Sequence, residues 1–223
     1  MQTSTRFRLA ERPRVKARDR GCPPWKVKAP MTQKHLSREK SLGLTPADVP
    51  LEALPVVELT KEDIQQALRL AEKRNGSAID DGVVFGNRDA LTSHQIGLLG
   101  ELAVAKLYGI GLDTGTYRGG DDGKDHSLCE MDIDVKSTAT RKVRRPELLV
   151  RADKPLRAEL YVRAHVIDWS SSSARVRLIG CASKETVEEQ TPRCHPGTTK
   201  NYVVSPDEMN FLPLLQPRAA NPG

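Results

Sequence analysis

Apolar positions along the first forty residues follow no period: RFRLAERPRVKARDRGCPPWKVKAP sets single hydrophobic residues among prolines and cations. A segment of this kind cannot bury enough surface to offset its ordering entropy, which predicts a disordered arm over 1–45. The pattern changes after a proline-marked linker, LGLTPADVPLEALP. In TKEDIQQALRLAEKRNG, Thr60 and Asp63 have capping-box spacing, and Ile64, Ala67, Leu68 and Ala71 fall on one stripe. Asn75-Gly76 reads as a stop, so the segment predicts an amphipathic helix on the outside of the main domain, within a linker-and-accessory region 46–90. In TSHQIGLLGELAVAKLYGIG, Thr92 and Gln95 are again spaced as a cap, and from Ile96 to Tyr108 only Glu101 and Lys106 interrupt apolar or glycine positions. That predicts a helix buried nearly all round.

Beyond residue 124 the period shortens towards two, predicting strands at 124–128, 131–137, 147–151, 159–168 and 175–181, with Ser170 to Ser173 turning the last pair. Lys184 to Glu189 reads as a short helix and KNYVV as a strand. Ser205-Pro206-Asp207-Glu208 reads as the start of a final helix. The order of elements implies one α/β domain with a mixed sheet over 91–215, and a disordered tail over 216–223.

Composition adds three points. No apolar run approaches the roughly 18 residues of a membrane span and no apolar signal core opens the chain, so the expectation is a cytoplasmic protein with no membrane partner. Residues 1–40 hold 12 Lys or Arg against 3 Asp or Glu, an excess larger than the whole-chain charge of +6, so the remainder is net acidic. A basic arm can bind a polyanion by releasing counterions; a solvated tail, a start at Met31 and a transit peptide are the alternatives. Cys22, Cys129, Cys181 and Cys194 contain no CxxC pair and read as free thiols, with Cys194-His195 at most half a metal site. A P-loop, a Ser-His-Asp order and a dinucleotide fingerprint are all missing from the sequence.

Against this background GGDDGKDHSLCEMDIDVKST, residues 119–138, gathers six carboxylates. Alternation puts Ile133 and Val135 on one face and Asp132, Asp134 and Lys136 on the other. A turn near Cys129-Glu130 would pair the two strands and carry Asp125 to Asp134; Asp121 and Asp122, in the glycine loop, are the alternative first-strand acids. Glu101 sits on a helical face with Gly97, Leu98, Val104, Ala105 and Tyr108, so it needs a metal, an arginine or another cation close by. Two carboxylates about 4 Å apart repel by roughly 4 kcal/mol at an effective dielectric of 20, and one lysine does not neutralise three of them. A hard divalent ion does, and Mg²⁺ is commonly held by one or two carboxylates with water and phosphate completing its shell. His126 alternates away from Asp125 and reads as structural.

Gly100-Glu101 in a buried helix, Asp125 at the start of a strand and Asp134-Val135-Lys136 on the next resemble the PD-(D/E)XK nuclease superfamily, over about residues 93–182. Lys124 stands where that pattern often has proline. The resemblance implies a restriction-endonuclease-like α/β core, a mixed central sheet flanked by helices. It also implies Mg²⁺-dependent DNA hydrolysis leaving 5′-phosphate and 3′-hydroxyl, with Mn²⁺ as a substitute ion. Asp125, Asp134 and the Val135 carbonyl would hold the metal, Glu101 would be an added or water-mediated ligand, and Lys136 would orient the water. Lys124, Ser137, Thr138, Arg141, Lys142, Arg144 and Arg145 are the candidate DNA contacts beside that site. A non-catalytic nucleic-acid-binding protein and an RNA-directed nuclease are the competing readings. A homodimer is the expected assembly if both strands of a duplex are cut.

Overall fold

The computed structural model describes residues 43–80, 90–115, 124–128 and 131–213. The basic arm before Gly43, the loop with Asp121 and Asp122, the Cys129-Glu130 turn and the tail lie outside the described residues, as do Cys22 and Cys129. Among the described residues, a 3-10 turn at Leu51–Ala53 is followed by eight strands and three α-helices in the order β1 (Val56–Leu59), α1 (Lys61–Asp80), α2 (Ala90–Tyr108), β2 (His126–Leu128), β3 (Met131–Thr138), β4 (Leu148–Arg151), β5 (Leu160–Trp169), β6 (Ala174–Ser183), α3 (Lys184–Glu188), β7 (Arg193–Cys194) and β8 (Lys200–Val204).

The chain is α/β with a mixed five-stranded sheet in the order β1-β6-β5-β3-β2, and a three-stranded sheet β4-β8-β7. β3 and β5 are parallel, and every other pair in the large sheet is antiparallel. A parallel neighbour needs a crossover of a dozen residues or more, and 139–159 supplies it, carrying β4 into the small sheet on the way. β5 is buried from Leu160 to Val166, as the almost unbroken apolar run LYVRAHVI requires of a central strand covered on both faces. Ser170 closes the β5–β6 hairpin, its N–H donating to Ser173 O at 2.8 Å.

One face of the large sheet packs on the helices. Ile64, Leu98, Val104, Ile133, Val162 and Leu178 belong to this core. The other face packs on the small sheet and α3, around Leu148, Tyr161, Ile179, Val204 and Met209. Helices therefore cover one side, and the second layer is mainly a sheet where helices were expected on both.

Several elements differ from the sequence expectation. α1 is part of the main core, because α2 is apolar all round and needs cover on the side the sheet does not reach. Thr60 and Asp63 form the reciprocal cap, at 2.8 and 3.4 Å. Asn75-Gly76 does not end α1, which runs on to Asp80; a glycine costs a helix only about 1 kcal/mol, less than the packing of the preceding turns supplies. α2 begins at Ala90, two residues before the expected Thr92 cap. Val56–Leu59, inside the linker by pattern, is an edge strand paired with β6. At the other end Ser205 and Glu208 make their cap, at 3.0 and 2.7 Å, but only a turn forms. The chain then bridges Asn210 to Cys181 and buries Met209 and Leu212, which a continuing helix could not do.

α2 approaches the sheet at Gly100. A Cβ there would stand 3.0 Å from Ala164 Cβ, 3.1 Å from Ser137 Cβ and 1.9 Å from Ser137 Oγ. The hydroxyl can rotate away, but the two Cβ atoms cannot. Gly100→Ala is expected to destabilise the fold by about 1–3 kcal/mol through overpacking, read from the urea midpoint; an unchanged midpoint would show that the helix can lift without loss.

Candidate functional site

The β2–β3 hairpin forms in the register that the alternation implies, His126 opposite Ile133 and Leu128 opposite Met131. Asp125 lies just before β2, and its N–H donates to Ile133 O at 2.8 Å. With no further β2 residue to continue the ladder, the Val135 N–H donates to the Asp125 carboxylate, Oδ2 at 2.6 Å. The N–H and C=O of one strand residue point to the same edge, so the Val135 carbonyl also faces the side where Asp125 sits. The hairpin thus brings Asp125 to the segment Asp134-Val135-Lys136 from nine residues away.

Asp134 is buried, and Lys136 Nζ is 2.7 Å from its Oδ2. In the parallel ladder Asp134 is partnered by Tyr161, so the two project to the face away from the helices. The Tyr161 hydroxyl is pushed up to about 12 by burial and by the Asp134 charge. Glu101 approaches from the helix side, so the carboxylates come to Asp125 from both faces of the sheet edge. Asp125 is held well above the usual carboxylate range, first by burial and then by Glu101 and Asp134; the Val135 hydrogen bond and Lys136 pull the other way. A cleft of about 280 Å³ between residues 110–114 and β2 opens onto Asp125.

Glu101, which the helical pattern places among apolar neighbours, is 7 % exposed and faces an arginine. Arg74 of α1 forks onto its carboxylate, Nη1 at 3.0 and 3.3 Å, and spans to the carbonyls of Asp113 (3.1 Å) and Gly115 (3.3 Å). The sequence pattern calls for a metal, an arginine or another cation here and does not choose among them. Arg74 lies 27 residues before Glu101, next to the Asn75-Gly76 pair that reads as a helix stop. His126 is buried with Nε2 2.9 Å from Glu101 O, and burial holds its pKa below the usual value. It ties β2 to the backbone of α2.

Among the remaining candidates, Lys124 Nζ pairs with Asp132 at 3.1 Å on the hairpin. Ser137 is turned to α2, its hydroxyl donating to Gly97 O at 3.3 Å. Thr138 is half-buried beside His165. Arg141, Lys142 and Arg144 are exposed, whereas Arg145 is half-buried and donates to Val49 O. Cys181 is buried, its thiol donating to Phe211 O at 3.4 Å, and Cys194 is exposed; neither is in a disulfide. His195 is 2.8 Å from Glu147, away from the hairpin. Among the described residues no group of three or more His, Cys, Asp or Glu side chains is placed to hold a metal ion, and no helix is long and apolar enough to cross a membrane. No protein-family model, no curated protein and no solved structure matches the chain.

Proposed function

We propose that the chain is a divalent-metal-dependent nuclease that hydrolyses DNA phosphodiester bonds, with a restriction-endonuclease-like arrangement of α2, β2 and β3. The observation that carries the reading is Asp125. Its carboxylate is fixed by a main-chain N–H, buried, and crowded by the negative charge of Glu101 and Asp134. A site that stores like charge in this way favours a cation. Asp125, Asp134 and the Val135 carbonyl are the groups that would hold it, a set adequate for Mg²⁺ or Mn²⁺, which take only one or two carboxylates from a protein. A bound ion of this kind neutralises phosphate charge and makes water more acidic.

The chain's own residues do the rest. The Val135 N–H occupies Oδ2 of Asp125, so Oδ1 is the oxygen that would be left for a cation. Lys136, half-exposed and 2.7 Å from Asp134, supplies a positive charge and a donor on the solvent side, suited to orienting water or countering charge on the reacting phosphate. Glu101, engaged by Arg74, acts on Asp125 through its charge. The same pairing favours the competing reading of a nucleic-acid-binding protein without catalysis, because it commits one candidate ligand to an arginine.

Incubation with supercoiled, linear and branched DNA, each with and without Mg²⁺, separates the two. Cleavage with Mg²⁺ that falls by about 100-fold or more in Asp134→Ala, with an unchanged circular-dichroism spectrum, is the expected outcome. Binding without cleavage under every condition would replace the nuclease by the binding protein.

A further inference from the structure

The sheet face that carries Asp134 and Lys136 continues as a row of cations. Lys136 is partnered by Arg163 and Thr138 by His165 across β3 and β5; His165 is partnered by Arg177 across β5 and β6. Arg175 follows on the same face, opposite Glu58 of β1. Ladder partners project to one side, so four strands build one surface.

The loop after β3 lies across it, anchored where His165 Nε2 meets Thr140 O at 2.7 Å. This loop brings the charges of Arg144 and Arg145 to bear on Arg177. Burial and the charges of Arg175, Arg145 and Arg144 hold Arg177 below its usual pKa, with Glu52 acting against them. Of the other acids nearby, Asp168 pairs with Arg175 at 3.2 Å and Glu147 with Arg193 at 3.3 Å and His195 at 2.8 Å, while Glu58 stands across the ladder from Arg175.

The donors of this surface are incompletely satisfied. Arg163 is 5 % exposed, and its Nη1 donates to Lys136 O at 3.1 Å, yet its Nε is buried with no hydrogen-bond partner. The Nε atoms of Arg145 and Arg177 are in the same state. An unmade hydrogen bond at a buried donor is destabilising, and like charges gathered on one face add repulsion. An anion at the exposed rim of this face offsets the repulsion, and the planar guanidinium fork suits phosphate.

We infer that the exposed Arg144 and Arg175, with the half-buried Arg145 and Arg177, form a binding track for the phosphate backbone of DNA along the solvent edge of this face, with Arg163 buried beneath them adding its charge. The identity of the polyanion rests on the nuclease reading of the neighbouring carboxylates; the anion-binding character of the face does not.

The test is fluorescence anisotropy of a labelled duplex oligonucleotide with the full chain in EDTA, where cleavage plays no part. Arg175→Gln and Arg177→Gln are expected to weaken binding several-fold each. The double variant is expected to flatten the plot of log affinity against log salt by about 0.9 for each phosphate that is no longer neutralised. Arg69→Gln, on the exposed side of α1, serves as the control and is expected to bind as wild type. Because Arg177 is half-buried, Arg175→Gln and Arg144→Gln, both at exposed positions, carry the test if Arg177→Gln does not fold. Wild-type affinity and salt slope in the arginine variants would overturn the track. RNA of the same sequence displacing the duplex at lower concentration would overturn its assignment to DNA. A wild type that binds through these arginines but never cuts when Mg²⁺ is restored refutes the nuclease and leaves the track standing.

Discussion

Arg74→Met is expected to destabilise the protein by about 3 kcal/mol, a large loss for one side chain and the kind seen when one partner of a buried ion pair is removed. Arg74 and Glu101 are 18 % and 9 % exposed at their side chains, so solvent cannot replace the missing partner well. The same guanidinium holds two main-chain carbonyls, Asp113 O and Gly115 O, and with them the 110–114 wall of the cleft over Asp125. Methionine keeps most of the aliphatic stem, so the loss reports the polar head and not a cavity. Removing the charge on the other side as well should recover more than half of it: in Arg74→Met/Glu101→Gln neither member of the pair is left as an unpaired buried charge, and the carbonyl hydrogen bonds are what stays missing. Urea midpoints of the two single variants and the double variant decide the matter. If the single Arg74 variant melts with wild type, Glu101 is neutralised by another group and Arg74 is a surface residue.

This pair marks the boundary of what the sequence discloses. That Glu101 needs a counter-charge is legible, because a period of 3.6 residues sets it among Leu98, Val104 and Tyr108, and an isolated buried carboxylate is too costly to keep. That the charge is Arg74 is not, because the pairing joins two helices and only the tertiary packing chooses among the arginines. The hairpin is legible to within a residue or two, since alternation from Met131 to Lys136 admits one register that buries Ile133 and Val135. Val56–Leu59 escapes for a related reason: four residues between Pro55 and the Thr60 cap carry little periodic signal, and their strand character comes from pairing with β6. The arginine track is half legible. Arg144 and Arg145 stand out as part of a basic run, while Arg163, Arg175 and Arg177 lie singly in apolar strands, and only strand register sets them side by side. The final helix fails differently. Its cap chemistry is present, but a single capped turn does not propagate when burying Met209 and Leu212 requires an extended chain.

Asp125→Asn is expected to abolish cleavage, by about 100-fold or more, and to raise stability at neutral pH. Both effects come from one carboxylate. Asparagine can still accept the Val135 N–H through its carbonyl oxygen, so the hairpin keeps its 2.6 Å hydrogen bond, and what disappears is a negative charge that burial, Glu101 and Asp134 all oppose. Because the folded-state pKa of Asp125 lies above its unfolded value, the folded protein binds this proton more tightly. The wild type therefore loses stability as pH rises from the unfolded pKa to the folded one, and the loss stays constant above that window. The variant has no such loss. Its advantage over wild type should grow as pH rises through that window and level off above the folded pKa, and should shrink towards zero as the pH falls to the ordinary aspartate range. Magnesium should act in the opposite direction: if Asp125 helps to hold it, adding the ion raises the melting temperature of wild type more than that of Asp125→Asn, since a ligand stabilises in proportion to its affinity for the folded state. Thermal melts of both proteins across pH, with and without Mg²⁺, measure all of this. A variant that is less stable than wild type at pH 7, with the same Mg²⁺ response, would make Asp125 a structural hairpin residue and leave the proposed site without its central ligand.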